Sequence, residues 1–199
     1  LLKPERLLEI VRLYTLFDKK AGKIVARYQQ IFGIKRLIER ISTKNSKGGR
    51  EGGVIWHTTG SGKSFTMVFL SKALILHEAL KQCRILVVTD RVDLEDQLSK
   101  TFVSGGELTG KRDKQNAMAT SGKRLAEQIG KGTERIMFSL IQKFNSATKL
   151  PECVNTSSDF IVLIDEGHRS QGGENHVRMK LALPNAAFVA FTGTPLLKD

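Results

Sequence analysis

The run His57-Thr58-Thr59-Gly60-Ser61-Gly62-Lys63-Ser64 places two glycines, a lysine and several hydroxyls in one short turn, directly after the apolar stretch Val54 to Trp56 and at the head of a helical one. Glycines at 60 and 62 let backbone N–H groups turn inward around a phosphate, and a helix N-terminus adds partial positive charge at the same place. Lys63 can then neutralise the terminal phosphates of ATP, and the Ser64 hydroxyl can bind Mg²⁺. The pattern G-x-x-x-x-G-K-[ST] is met everywhere except at its first position, where His57 stands in place of glycine. Thr59, Gly60, Ser61, Gly62, Lys63 and Ser64 are therefore candidate nucleotide ligands. Lys63 is expected to face solvent when no nucleotide is bound.

A second run, Phe160-Ile-Val-Leu-Ile-Asp165-Glu166-Gly167-His168, is an apolar strand that ends in two acids. A strand closing on Asp-Glu is weak by itself, since acids often end strands and begin helices. Paired with the glycine loop it becomes chemistry: Asp165 can hold Mg²⁺, and Glu166 can orient and polarise an attacking water. A third buried run, Phe188-Val-Ala-Phe191-Thr192-Gly193-Thr194-Pro195, ends in two hydroxyls on a tight turn.

These runs need a scaffold. From Gly53 onward, short continuous apolar runs at Val54 to Trp56, Ile85 to Thr89, Arg135 to Phe138, Phe160 to Asp165 and Ala187 to Thr192 alternate with helical stretches near 63 to 81, 92 to 102, 120 to 130 and 173 to 183. Continuous hydrophobicity means strands buried on both faces, so the fold class is α/β with a mainly parallel sheet flanked by helices. Upstream, Leu7, Val11, Tyr14 and Phe17 follow helical spacing over 4 to 17, and Ile24, Tyr28, Ile31, Ile34, Ile38 and Ile41 do so over 23 to 41. The glycine-bearing connector 42 to 53 places a boundary between a basic helical segment, 1–45, and an α/β domain, 46–199. Ser104 to Thr120, polar and glycine-bearing, receives no element.

The 199 residues carry 32 Lys and Arg against 20 acids, a net charge of +12, and residues 1–50 hold 13 basic residues against 4 acids. That concentration suggests a polyanionic partner or an acidic neighbouring domain, and equally a solvated face. Lys44, Lys47 and Arg50 fit a flexible solvated loop as well as a DNA contact. No stretch is apolar and long enough to span a membrane, there is no signal-peptide pattern, and Cys83 and Cys153 form no metal or disulfide spacing, so a reducing cytoplasm is expected. Cys83, His77, His176 and the single tryptophan, Trp56, are read as core or surface residues without a chemical role.

The order of the three runs resembles motifs I, II and III of superfamily 2 helicases and translocases. Val87-Val88-Thr89-Asp90-Arg91-Val92-Asp93-Leu94 and Ile136-Met137-Phe138-Ser139-Leu140-Ile141-Gln142-Lys143-Phe144 look like the family's DNA-facing segments. Arg27-Tyr28-Gln29-Gln30 resembles its adenine-recognising glutamine motif, and the whole chain resembles the R subunit of type I restriction enzymes. The resemblance implies a RecA-like P-loop motor domain that uses ATP and Mg²⁺ to translocate double-stranded DNA while anchored to methylation and specificity subunits. It assigns adenine to Arg27, Tyr28 and Gln30, and it makes His168, Thr192 and Thr194 the link between hydrolysis and movement. It also implies a nuclease and a second motor domain carrying an arginine finger. No Glu-x-Lys triplet of that nuclease occurs here, so the chain is expected to be the first motor domain of a longer polypeptide, hydrolysing little ATP alone. Three alternatives compete: another superfamily 2 helicase or translocase, a P-loop kinase, and a non-catalytic nucleotide-dependent DNA-binding or assembly module. A kinase requires neither Glu166 beside Asp165 nor the Thr192-Gly-Thr-Pro turn.

Overall fold

The computed structural model describes residues 3–18, 22–58, 60–104, 106, 108, 111–165 and 173–193. Five strands, β3 (Gly53–Trp56), β4 (Arg84–Thr89), β5 (Ile136–Leu140), β6 (Phe160–Asp165) and β7 (Ala187–Thr192), form one sheet in the order β3-β7-β6-β4-β5, every pair parallel. The sheet fits the expected α/β class. Side chains alternate between two cores: Ile85, Val87, Ile161 and Leu163 enter one, and Leu86, Val88, Val162 and Ile164 the other. The continuous apolar runs arise because helices cover both faces of the central strands.

The first core is closed by α2 (Tyr28–Ser42), α3 (Lys63–Leu76) and α4 (Val92–Ser104), and the second by α6 (Gly122–Lys131), α7 (Phe144–Ala147) and α8 (Glu174–Ala182). Ile34, Leu37, Ile38 and Ile41 of α2 are buried in the same core as Met67 and Phe69 of α3, so the basic helical segment is packed into the α/β region. α5 (Lys111–Ala117) lies inside the stretch that the sequence left without an element. α3 ends at Leu76 rather than near 81, because a turn at 77–83 follows, held by Leu80 N–H to His77 O and Cys83 N–H to Leu80 O.

The structure corrects the first helix. α1 covers only Pro4–Leu13, and β1 (Thr15–Asp18) pairs antiparallel with β2 (Gly22–Val25), Leu16 opposite Ile24. Tyr14 and Leu16 are buried and Phe17 is exposed, so the period is two, and Tyr14 and Phe17, which helical spacing would put on one face, differ in burial. Tertiary contact settles the ambiguity: Lys72 Nζ of α3 donates to Thr15 O at 3.0 Å.

Arg50 is a second correction. Far from being a solvated loop residue, it is buried; its guanidinium donates to Ser158 O at 2.8 Å, to Ile41 O at 3.0 Å and to Asp159 Oδ1 at 3.1 Å. A planar fork of donors matches these divergent oxygens, and a lysine ammonium does not. Arg50→Met should lower unfolding free energy by about 2–3 kcal/mol through lost charge-assisted hydrogen bonds. A urea titration checks this: the midpoint should fall with the slope unchanged, and Arg50→Lys should regain only a minor part.

Candidate nucleotide-binding site

Parallel strands end together, and here the register brings three carboxyl ends side by side: Trp56 of β3 pairs with Thr192 of β7, and Phe191 pairs with Asp165 of β6. Ligands of open α/β sheets bind at such carboxyl ends. Between β3 and α3 the chain turns through Gly60 (φ 75°) and Gly62 (φ 92°), both in the left-handed region that side chains disfavour. Gly62 caps α3, whose first residue is Lys63. Lys63 and Ser64 thus begin a helix whose N-terminus faces the sheet's carboxyl end, the geometry that attracts an anion.

Lys63 does not face solvent as expected. Its Nζ lies 2.9 Å from Asp165 Oδ1, with its side chain 21% and that of Asp165 4% exposed. The buried carboxylate supplies a counter-charge in the absence of phosphate. The same carboxylate and the Ser64 hydroxyl are suited to one Mg²⁺. Among the described residues no group of three acidic, His or Cys side chains could form a metal site on its own.

Gln30 joins the glutamine motif to the loop. Its Oε1 accepts from Arg27 N–H at 2.7 Å, which caps α2, while its Nε2 donates to Thr66 Oγ1 at 2.7 Å and to Gly62 O at 3.4 Å. A pocket of about 280 Å³ opens beside it, lined by Arg27, Gln29, Gln30, Trp56, His57 and Thr58 among others. Arg27 and Gln30 therefore stand at this pocket. Tyr28 is exposed and absent from its lining, and Gln29 takes part instead. Ser61 and Thr66 complete the side toward the phosphate loop.

Trp56 corrects the core reading. It is 59% exposed, with its indole Nε1–H donating to Gly193 O at 3.1 Å. β3 is an edge strand of the sheet, and Val54 and Trp56 share its open face, so the alternation that buries side chains in central strands leaves these two uncovered. Sequence reading also passed over His57 as a working residue, although its replacement of the loop's first glycine was the available signal. His57 is buried, its Nδ1 is 2.9 Å from Ser61 Oγ, and its backbone N–H donates to Thr192 O at 2.9 Å. Burial, reinforced by the Lys63 charge, holds its imidazole below the ordinary histidine value and so neutral. Cys83 and His176 are buried, as a role without chemistry requires.

Of the remaining expected residues, Thr192 is buried at the end of β7. Thr59, Glu166, His168 and Thr194 lie outside the described residues. The two segments expected to face DNA are tied together: Gln142 Nε2 donates to Asp90 O at 2.7 Å, and Lys143 Nζ is 3.3 Å from the buried carboxylate of Glu95.

Known proteins agree with this geometry. The chain is 37% identical over 217 aligned positions to the type I restriction enzyme HindI endonuclease subunit of Haemophilus influenzae, covering 98% of this chain and 20% of that protein. It is 33% identical to the putative type I restriction enzyme MjaIXP endonuclease subunit of Methanocaldococcus jannaschii, covering 98% and 18%. The chain thus spans about a fifth of these relatives. Among solved structures, the Sulfolobus solfataricus SWI2/SNF2 ATPase core in complex with dsDNA matches 94% of this chain and 34% of its own at a TM-score of 0.62 with 14% identity. The UvsW helicase of bacteriophage T4 matches 97% and 61% at a TM-score of 0.62 with 15% identity. These two likenesses show the fold alone, a RecA-like α/β sheet flanked by helices that is shared with these proteins. The family profile of the SWI2/SNF2 ATPase covers residues 29–199, and the chain belongs to that family.

Proposed function

We propose that this chain is the nucleotide-binding half of an ATP-driven motor that translocates double-stranded DNA within a type I restriction enzyme R subunit. The observation that carries the reading is Lys63 at the head of α3, held against the buried Asp165 at the carboxyl end of the parallel sheet. An incoming triphosphate competes with Asp165 for Lys63 and meets the N–H groups of the glycine loop. Thr59, Gly60, Ser61 and Gly62 wrap the phosphates, and the adenine takes the pocket beside Arg27, Gln30 and Trp56. Mg²⁺, held by Ser64 and Asp165, would neutralise charge on the phosphates when bound. Glu166 polarises the attacking water, and His168, Thr192 and Thr194 pass the state of the site to the DNA-facing segments.

The methylation and specificity subunits, the nuclease and the second motor domain belong to the same proposal, supported by the relatives' names and by the fifth of their length spanned here. The basic N-terminal region supplies cations for a polyanion. Arg50 is committed to the interior and Lys35 and Arg40 are paired with Glu9 and Glu51. Lys3, Arg6, Lys23, Arg36, Lys44 and Lys47 are exposed. Binding of duplex DNA by the full-length subunit should therefore weaken steeply with salt, log K falling by about 0.9 per log unit of salt for each phosphate neutralised. The test pairs that titration with ATP hydrolysis: long duplex DNA should stimulate phosphate release. A flat salt response, or turnover indifferent to DNA, would count against a DNA motor.

A further inference from the structure

The first position of the phosphate loop is the one place where this sequence departs from the usual pattern, and the structure gives the substituted side chain two attachments. His57 Nδ1 is 2.9 Å from Ser61 Oγ, across the loop's turn. The ring stacks on Phe191 of β7, centroids 6.4 Å apart and planes 23° from parallel; the bond from the His57 backbone N–H to Thr192 O at 2.9 Å is one that any residue but proline could make there. Nε2 is buried and has no hydrogen-bond partner among the described residues. An unpaired buried nitrogen is a cost that a phenylalanine of similar shape would avoid, so packing alone does not account for an imidazole here. What the imidazole adds is the Nδ1 contact.

We propose that His57 is a positioning residue that fixes the phosphate loop through Ser61 and ties that loop to the end of β7 through its ring contact with Phe191. This rests on the reading of the loop as a nucleotide site. Because the ring is neutral, it either donates to or accepts from the serine hydroxyl, and in both tautomers it keeps Ser61 turned inward across the loop. A shift of the loop on nucleotide binding then moves a ring that lies against β7, whose last residue precedes Gly193, the partner of the Trp56 indole.

The experiment is a double-mutant cycle in the full-length subunit, read by titration with a fluorescent ATP analogue and Mg²⁺. His57→Phe keeps the ring against Phe191 and removes Nδ1; Ser61→Ala removes the other partner. Each should weaken nucleotide binding about three- to tenfold, the effect of one lost hydrogen bond. The double variant should be no weaker than either single one, because both remove the same contact. His57→Asn, which offers a polar atom toward Ser61 without the ring, should restore affinity while lowering the stimulation of ATP hydrolysis by DNA, since the contact with Phe191 is gone. If His57→Phe fails to fold, Ser61→Ala is placed on His57→Asn instead, and the loss must persist there. Multiplying losses in the cycle, or an Asn variant as weak as Phe with full DNA stimulation, would overturn the role of His57. A wild-type subunit that binds no nucleotide would overturn the nucleotide reading and this one with it, so the two failures are told apart.

Discussion

Glu166→Gln in the full-length subunit should retain ATP binding and lose about two to four orders of magnitude in turnover, the usual cost of removing a general base. The expectation comes from a division of labour between neighbours. Asp165 closes β6 with its carboxylate 2.9 Å from Lys63, so it is committed to the charge balance of the phosphate site. Glu166 is the next residue in the chain and carries the second carboxylate of the run. A glutamine keeps size and polarity while giving up the ability to take a proton from water. Equilibrium titration with a nucleotide analogue should give wild-type affinity, and DNA-stimulated phosphate release should nearly vanish. Turnover close to wild type would move the base elsewhere, with Asp165 next to be tested. A parallel loss of binding would mean that Glu166 acts on the nucleotide or its metal.

The parts of this molecule that were legible in the sequence are those where a local pattern and a tertiary environment agree. β4, β6 and β7 read as strands because helices bury both their faces, which leaves the positions between their first and last residues apolar. The turn between β3 and α3 read clearly because left-handed backbone at Gly60 and Gly62 favours that residue type. Tyr14 to Val25 was illegible because four-residue strands satisfy helical and strand periods alike, and the choice is made by Lys72 on a distant helix. Trp56 was misread because a run of apolar residues does not say whether its strand is central or at an edge. Arg50 was misread because its partners at Ser158 and Asp159 lie 108 and 109 positions away.

The site itself was legible as a set of residue types but not as a set of contacts. No spacing rule says that Gln30 will bridge the start of α2 to Thr66 and Gly62, or that Lys63 will rest on Asp165. Both contacts join elements far apart in the chain, and both exist because α2 packs beside α3 and β6 lies one strand from the edge pair β3 and β7.

The Lys63–Asp165 contact gives the second large expected effect. Lys63→Ala should weaken ATP binding by roughly ten- to a hundredfold, since a charge-assisted hydrogen bond contributes about 1.5–3 kcal/mol. It should also destabilise the nucleotide-free protein, contrary to what a solvent-facing lysine would do, because a carboxylate only 4% exposed loses its cation. Removing one partner of a fully buried pair costs about 3–5 kcal/mol; with Lys63 21% exposed and Asp165 engaged in further contacts, a loss of about 1–3 kcal/mol is expected. The two consequences separate in a second variant. Adding Asp165→Asn to Lys63→Ala removes the buried charge, so thermal stability should recover in part while nucleotide affinity stays low. Denaturation midpoints and fluorescent ATP-analogue titrations on the single and double variants decide the matter. If Lys63→Ala melts like wild type, the contact adds nothing to stability; if it binds ATP like wild type, Lys63 is not the phosphate ligand and the loop's assignment falls with it.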